Sequence, residues 1–281
     1  MRILVTGGSG FLGTHICSYF GADDFSRRAG FDLLNLQDVY KAEEYDVIIH
    51  LGALLEKAPA HIEDVFLTNV EGTVNLLRVL KPNTTFIFAS TKDVYGRFAD
   101  NYKDVPESCE TIYSGQSALE WSKLIAEKYV RFYAETRGFR TCIFRLSNLY
   151  AKSSEGNRSN FVAHYANLVK SETTLRLPDN GKPIRDFLHV DDFSRACEAF
   201  ADSAIRHGLY NLGGGRKNAS TIRELVETMA DCAGTKAQID EENPLPNPVP
   251  YNYVSDISLV TMELDWSPQI NLRDGISALF E

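Results

Sequence analysis

Short apolar runs alternate with amphipathic stretches along the first half of the chain. The runs lie at 2–5, 46–51, 85–89 and 141–146. Short and nearly continuous apolar runs are typical of strands that are buried on both faces of a parallel sheet. Between them, 14–20, 69–80 and 117–137 are predicted to be helices, the last with Gly138 at its end. This alternation predicts an α/β fold built on a doubly wound, Rossmann-like parallel sheet.

The pattern loosens after about residue 150. The polar stretch 152–160 and the Pro-Asp-Asn-Gly stretch 178–181 are predicted to be a loop and a turn. A helix is predicted over 221–233 with Ser220 or Thr221 as its cap, and the proline-rich stretch 241–250 should be extended and exposed. We expect a Rossmann-like domain over 1–150 and a smaller mixed domain over 151–281, with some later segments returning to the first domain.

Composition and charge exclude several classes of protein. The net charge of the 281 residues is −9 and no block of five or more Lys and Arg residues occurs, so we expect no nucleic-acid partner. No apolar run approaches about 18 residues and the start of the chain does not resemble a signal peptide, so we expect a cytoplasmic protein without a membrane span. The five cysteines form no C-x-x-C pair and the six histidines are scattered, which favours reduced thiols and no metal site.

A glycine-rich turn follows the first apolar run. It contains Gly7, Gly10 and Gly13, with Phe11 and Leu12 before the last of them. A glycine turn between a strand and a helix is typical of dinucleotide binding, where the glycines permit a tight turn, close approach to a pyrophosphate and close helix packing. The helix N-terminus then offers free N–H groups to the phosphates.

The identity of the dinucleotide depends on the second strand, which we expect near 21–25. Asp23 and Asp24 are candidates for a ribose contact, although both can also be turn residues. Arg27 and Arg28 follow, and an arginine there can hold a 2′-phosphate, although we favour a solvated basic pair as the explanation of both. We expect NAD and leave NADP open.

Ordered motifs along nearly the whole chain resemble those of the extended short-chain dehydrogenase/reductase family, which includes nucleotide-sugar epimerases and dehydratases. The matching segments are Asp32-Leu33, His50-Leu51-Gly52-Ala53, 69–73, Ser90-Thr91-Lys92-Asp93-Val94-Tyr95-Gly96, 122–127, 145–150 and 185–192. The run 210–216 is similar to the Tyr-Asn-Leu-Gly-Gly-Gly-Arg run of CDP-paratose (CDP-tyvelose) 2-epimerases.

The resemblance implies roles for individual residues. Asp32, Leu33, Leu51, Gly52 and Ala53 would line the cofactor, and Lys123 would hold the nicotinamide ribose. Thr91 would contact a substrate hydroxyl. The residues expected at the substrate are Asn148, Arg185 and Arg216. The family also implies a homodimer formed through the long helix.

One position departs from the family in a way that bears on chemistry. Family members carry Tyr-x-x-x-Lys on the long helix, where the lysine lowers the tyrosine pKa so that the phenol can act as a base. Here Leu119 stands four residues before Lys123. Tyr113, Asp93 or Lys92 could replace the missing phenol. Lys92 and Asp93 also stand where family dehydratases have Asp and Glu, so the acid–base pair for water elimination is not intact.

The function expected from this combination is NAD(P)-dependent modification of a nucleotide-activated sugar. Epimerisation through a transient keto sugar is our first choice. Dehydration and reduction are alternatives within the same class. The alternative from another class is a cofactor-binding protein that has lost turnover, for which Leu119 is the motivating residue.

Overall fold

A computed structural model describes residues 1–152 and 161–281 of the chain. The predicted loop at 152–160 therefore lies, apart from Lys152, outside the described residues. Within them the strands are β1 (Ile3–Thr6), β2 (Asp23–Phe25), β3 (Val47–His50), β4 (Thr85–Thr91), β5 (Arg140–Leu146), β6 (Asn148–Tyr150), β7 (Ile184–His189), β8 (His207–Leu212) and β9 (Ala219–Thr221). The α-helices are α1 (Phe11–Phe20), α2 (Leu36–Val39), α3 (Ile62–Phe66), α4 (Gly72–Val79), α5 (Ala118–Arg137), α6 (Phe161–Lys170), α7 (Val190–Asp202), α8 (Ile222–Ala233), α9 (Ser258–Leu264) and α10 (Leu272–Ser277).

The main sheet confirms the predicted doubly wound α/β fold. Its strands lie in the order β2-β1-β3-β4-β5-β8, and all of its pairs are parallel. The strand order reverses between β1 and β3, and ligands of open α/β sheets bind outside the carboxyl ends of the strands at such a switch point. A ligand site is therefore expected at the loops that follow β1 and β3.

Alternate residues of the strands pack into separate cores on the two faces of the sheet. Val5 and Ile49 pack with α1 and α7 on one face, whereas Leu4 and Ile48 pack with α4 and α5 on the other. This is the reason why the strands are apolar almost without interruption.

A small mixed sheet with the order β6-β7-β9 stands beside the main one, as predicted. Its own core includes Phe187, Ile222 and Met229. The later half of the chain also supplies β8 to the main sheet, so the two parts are interleaved along the chain. The boundary at residue 150 stays a prediction.

Several predicted element bounds need correction. The helix expected over 69–80 begins earlier, at Ile62, and passes through a π-helical segment over Leu67–Glu71 before α4. Ser117 is the N-cap of α5 rather than its first residue, and Thr221, not Ser220, caps α8. The stretch 241–250 is non-helical and largely exposed, as predicted.

Candidate functional site

The glycine turn after β1 forms a cradle that has no room for side chains. Gly7 has a φ of +69°, and a Cβ there would lie 2.9 Å from Cα of Gly52, which follows β3. A Cβ at Gly13 would overlap the carbonyl oxygen of Gly7, and the N–H of Gly10 donates to the same oxygen at 2.9 Å. Glycine is therefore required for this close approach of loop, helix and neighbouring strand end.

Helix α1 presents an open N-terminus to this cradle. Phe11 and Leu12 form its first turn, Gly10 is its N-cap, and none of the described side chains caps it or places a carboxylate in its first turn. The free N–H groups and the positive end of the helix dipole are thus available for an anion. This arrangement fits the pyrophosphate of a dinucleotide.

A cavity of about 490 Å³ lies between the loops that follow β2 and β3. Asp32, Leu34 and Leu54 are among its lining residues. Leu33 packs beside Gly52, and the Asp32 carboxylate accepts the N–H of Leu34 at 2.9 Å. The cavity is of the size that ligand pockets have, and it would hold the adenosine part of the cofactor.

The loop after β3 is fixed by the π-helical segment. Leu51 donates its N–H to the carbonyl of Thr6, Gly52 donates to the Thr6 hydroxyl, and Ala53 follows. Asn69 accepts the N–H of Leu54 at 2.7 Å and donates to the Ser122 hydroxyl at 2.9 Å. The π-helical turn thereby ties the cofactor loop to helix α5.

Lys123 lies at the centre of the site on α5. Its Nζ donates to the carbonyl of Ala89 at 2.7 Å and lies 4.8 Å from the centroid of the Phe88 ring. Burial lowers the pKa of Lys123 to about 8, against an opposing effect of Glu127. Glu127 is itself engaged by Arg145 at 2.7 Å, so it stabilises the ammonium only partly.

The end of β4 brings together charged groups that face α5. Thr91 caps the turn that follows, and its hydroxyl accepts the N–H of Asp93 at 3.2 Å. Asp93 pairs with Lys92 at 2.6 Å and with Lys57 at 3.8 Å, and Lys57 pairs with Glu120 at 2.6 Å. Burial alone would raise the pKa of Asp93, but Lys92 and Lys57 outweigh it, and the pKa is lowered.

Lys57 and Glu120 are site residues that sequence reasoning missed. Lys57 comes from the irregular loop after β3, whose path no periodicity predicts. Glu120 belongs to the capping box of α5, where its carboxylate accepts the N–H of Ser117 at 2.7 Å. A glutamate three residues after a capping serine is a visible signal, but it indicates a helix start rather than a site.

Tyr113 lies on a different side of α5 from Lys123. Its side chain is 64% exposed, and its ring stacks on Trp121 with 6.0 Å between the ring centroids. Trp121 is two residues from Leu119, about 200° around the helix, whereas Lys123 shares the face of Leu119. The structure therefore does not bring Tyr113 to the lysine.

The loop that carries Tyr113 is also held firmly. Gln116 donates to the carbonyl of Val94 at 3.0 Å, and Ser114 accepts the N–H of Arg97 at 3.0 Å. Gly96, with a φ of +52°, has no room for a Cβ beside Ser114 and Gln116. A movement of the whole loop toward the site would break these contacts.

The three residues expected at the substrate all have partners within the chain. Asn148 donates to the carbonyl of Asp186 at 3.1 Å. Arg185 is buried and donates to the carbonyls of Ile184, Tyr251 and Pro250 at 2.7, 2.8 and 2.9 Å, so part of its guanidinium is already engaged. Arg216 pairs with Asp104 at 2.8 Å but remains half-exposed, which leaves donors for a phosphate.

Comparison with known proteins decides the family. A sequence family described as "NAD dependent epimerase/dehydratase family" matches residues 3–213 of this chain. The chain belongs to this family. Among relatives, the CDP-paratose 2-epimerase of Salmonella typhi is 26% identical over 100% of this chain and 98% of its own length. The GDP-6-deoxy-D-mannose reductase of Pseudomonas aeruginosa is 28% identical over 99% of this chain and 95% of its own length.

Solved structures of the epimerase/dehydratase family agree with the fold. RMD from Pseudomonas aeruginosa, complexed with NADPH, is 27% identical with a TM-score of 0.82, covering 99% of this chain and 96% of that chain. The UDP-glucuronic acid 4-epimerase of Bacillus cereus, in complex with UDP-glucuronic acid and NAD, has a TM-score of 0.84 at 22% identity, covering 100% and 98%. The solved structures contain NAD or NADPH, and the members of this NAD-dependent epimerase/dehydratase family are enzymes. No helix within 1–152 or 161–281 is long and apolar enough to span a membrane.

Proposed function

We propose that this chain epimerises a nucleotide-activated sugar through a transient keto sugar, with NAD(P) as cofactor. The support is the combination of the glycine cradle with the cluster of Thr91, Asp93 and Lys57 at the carboxyl end of β4. Relatives in the family act on CDP-, UDP- and GDP-linked sugars by their names, and this supports a nucleotide sugar as the substrate class.

The residues would divide the work as follows. NAD(P), held by the glycine cradle and Lys123, would supply the hydride chemistry by which a sugar carbon is oxidised and then reduced on its opposite face. Thr91 orients the hydroxyl on that carbon, and the Asp93 carboxylate takes the hydroxyl proton and later gives it back. Lys123 holds the cofactor ribose. A carboxylate is sufficient as a base because the hydroxyl becomes strongly acidic as the hydride leaves.

The observation that carries this assignment is the position of Asp93. It is the carboxylate next to Thr91, its side chain is 32% exposed, and Lys57 links it to Glu120, the neighbour of Leu119. Lys92 and Lys57 keep it ionised, as a base requires.

Asp93→Asn tests this assignment directly. We expect turnover of the nucleotide sugar to fall about 10²-fold or more while cofactor binding is retained, because the amide cannot accept the proton. The assay incubates the protein with CDP-, UDP-, GDP- and dTDP-sugars in deuterated buffer and follows isomers, water loss and deuterium uptake by mass spectrometry. Asp231→Asn, at an exposed carboxylate of α8, is the matched control.

Other outcomes would assign a different base or a different reaction. Unchanged turnover in Asp93→Asn would rule out Asp93 as the base, and a large loss in Tyr113→Phe would transfer that role to the phenol. A loss of water in place of isomerisation would identify a dehydratase.

A second candidate function rests on Leu119 alone. A leucine cannot exchange a proton, so a chain with an intact cofactor cradle and no turnover would be a cofactor-binding protein with a regulatory or scaffolding role. If the native chain is inert with all sugars and Leu119→Tyr gains turnover, this second function replaces the first.

We further propose a cytoplasmic homodimer. The five cysteines are free thiols in the structure, which agrees with a reducing compartment. Tyr129 and Phe132 on α5 are 40% and 61% exposed, and Ile62 and Leu67 on the neighbouring segments are 45% and 49% exposed. An exposed apolar group of this kind on adjacent helices supports association with a second copy.

A further inference from the structure

The three residues after β2 stand beside the glycine cradle. Phe25 ends β2, and its carbonyl accepts the N–H of Gly7 at 2.9 Å. Ser26, Arg27 and Arg28 follow at the same carboxyl edge of the sheet. In doubly wound folds this place borders the adenosine ribose, where a carboxylate binds the 2′-hydroxyl of NAD or an arginine accommodates the 2′-phosphate of NADP.

Neither acidic residue of β2 offers a carboxylate to a ribose. Asp24 packs against Gly8, where a Cβ would overlap its carboxylate; its Oδ1 is fully buried without a hydrogen-bond partner among the described residues. Its Oδ2 accepts the Ser26 hydroxyl at 2.9 Å. Asp23 is paired with Leu4, two residues before the end of β2, and accepts the Tyr45 hydroxyl at 2.7 Å.

Two guanidinium groups occupy the place instead. Arg28 reaches the carbonyl of Ser9 in the glycine turn, 3.5 Å from its Nη1, so its guanidinium lies over the cradle. The Arg27 side chain is 67% exposed, lines the cavity and lies 3.8 Å from the Asp32 carboxylate through its Nε. An exposed pair at this distance is weak, and Arg27 can exchange it for a stronger anion.

We propose that Arg27 and Arg28 form a site for the 2′-phosphate, and that the chain selects NADP(H) over NAD(H). Planar guanidinium groups bind phosphate through paired, charge-assisted hydrogen bonds. The proposal rests on the proposed dinucleotide-dependent function and specifies its cofactor. It departs from the expectation of NAD drawn from the sequence, because the structure turns Asp23 and Asp24 away from the ribose.

Binding measurements on the full chain, freed of co-purified nucleotide, test the proposal without requiring turnover. Isothermal titration calorimetry compares NADP⁺ with NAD⁺, and 2′,5′-ADP with 5′-AMP, for the native chain and for Arg27→Ala/Arg28→Ala. Arg131→Ala, at an arginine of α5 that is 75% exposed, is the single-charge control.

We expect NADP⁺ and 2′,5′-ADP to bind about tenfold or more tightly than NAD⁺ and 5′-AMP. The double variant should lose most of that preference with NAD⁺ affinity nearly unchanged, and the control should keep it. NAD⁺ binding as tightly as NADP⁺ to the native chain, or an equal loss for both in the double variant, would overturn the inference. Turnover with NAD⁺ would then leave the proposed function standing, whereas a chain that binds neither dinucleotide contradicts both.

Discussion

At the scale of single residues, the site keeps the lysine of the family motif but surrounds it with partners other than a tyrosine. Lys123 has the position expected from the sequence, but the face it shares holds Leu119 instead of a phenol. The ammonium is satisfied by the carbonyl of Ala89 and by the Phe88 ring. Burial lowers its pKa to about 8, so burying the charged ammonium destabilises the folded chain in a way that a neutral side chain would not.

Lys123→Met should reveal that cost as a pH-dependent difference in stability. Because the pKa falls from 10.5 to about 8 on folding, the unfolded chain binds more protons between these values, and native stability rises with pH across that window. The variant lacks this dependence. Its stability advantage over the native chain should therefore shrink by about 2 kcal/mol between pH 7 and pH 10.

Urea unfolding of both chains at a series of pH values measures this difference. Groups shared by the two chains cancel in the comparison. A gap in the free energy of unfolding that stays constant from pH 7 to pH 10 would show that Lys123 keeps an ordinary pKa in the folded chain.

Residues that lie in a recognisable sequence motif could be predicted from the sequence, and residues whose role depends on tertiary contacts could not. Gly7 and Gly13 were recognisable because strand, turn and helix surround them. Lys57 was not, because its role depends on where an irregular loop meets Glu120 and Asp93. Tyr113 was a reasonable candidate by spacing, and only the stacking on Trp121 shows that it faces elsewhere.

At the scale of elements, the start of α5 serves both the helix and the site. Ser117 and Glu120 form its capping box, and Glu120 also holds Lys57. Helix α8 begins with a similar box, made by Thr221 and Glu224, whose glutamate side chain is used only by the cap and by Ser220 in the contacts described. The same N-cap substitution can therefore be made at both helices, and only at α5 does the glutamate of the capping box also hold a site residue.

Ser117→Ala and Thr221→Ala should each lower the free energy of unfolding by about 1 kcal/mol, because each removes an N-cap hydroxyl. Only Ser117→Ala should also lower kcat, since Glu120 loses the Ser117 hydroxyl at 2.5 Å and holds Lys57 less firmly beside Asp93. Thermal or urea unfolding and steady-state turnover measure the two effects. Equal turnover in both variants would separate Glu120 from the chemistry.

Helix bounds were less predictable than helix positions, for a structural reason. The periodicity over 69–80 located α4, but the chain is already helical from Ile62 and inserts a π-helical turn over Leu67–Glu71. That turn places Asn69 between the cofactor loop and α5. A local widening of the helix that serves tertiary contacts leaves no periodic signal.

At the scale of the whole molecule, one buried carboxylate joins the two sheets. Asp186 of β7 accepts hydrogen bonds from the N–H groups of Gly215, after β8, and Ser255, both at 3.1 Å. Burial raises its pKa, against the hydrogen bonds that lower it. The proposed substrate contacts Asn148 and Arg185 belong to the same small sheet, so Asp186 also fixes their position relative to the main sheet.

The proposed homodimer requires a contact surface on the outside of the molecule. Phe132 is 61% exposed on α5 and is one of the exposed apolar residues proposed for the dimer contact. Phe132→Glu places a charge in this apolar group, and burying that charge in a contact with a second copy is costly. We expect the native chain to sediment as a dimer and Phe132→Glu as a monomer with unchanged secondary structure. Met262→Glu makes the same kind of change on α9, where Met262 is 75% exposed, and should leave the dimer intact. A native chain that sediments as a monomer at all concentrations, or a Phe132→Glu dimer, would exclude this face as the interface.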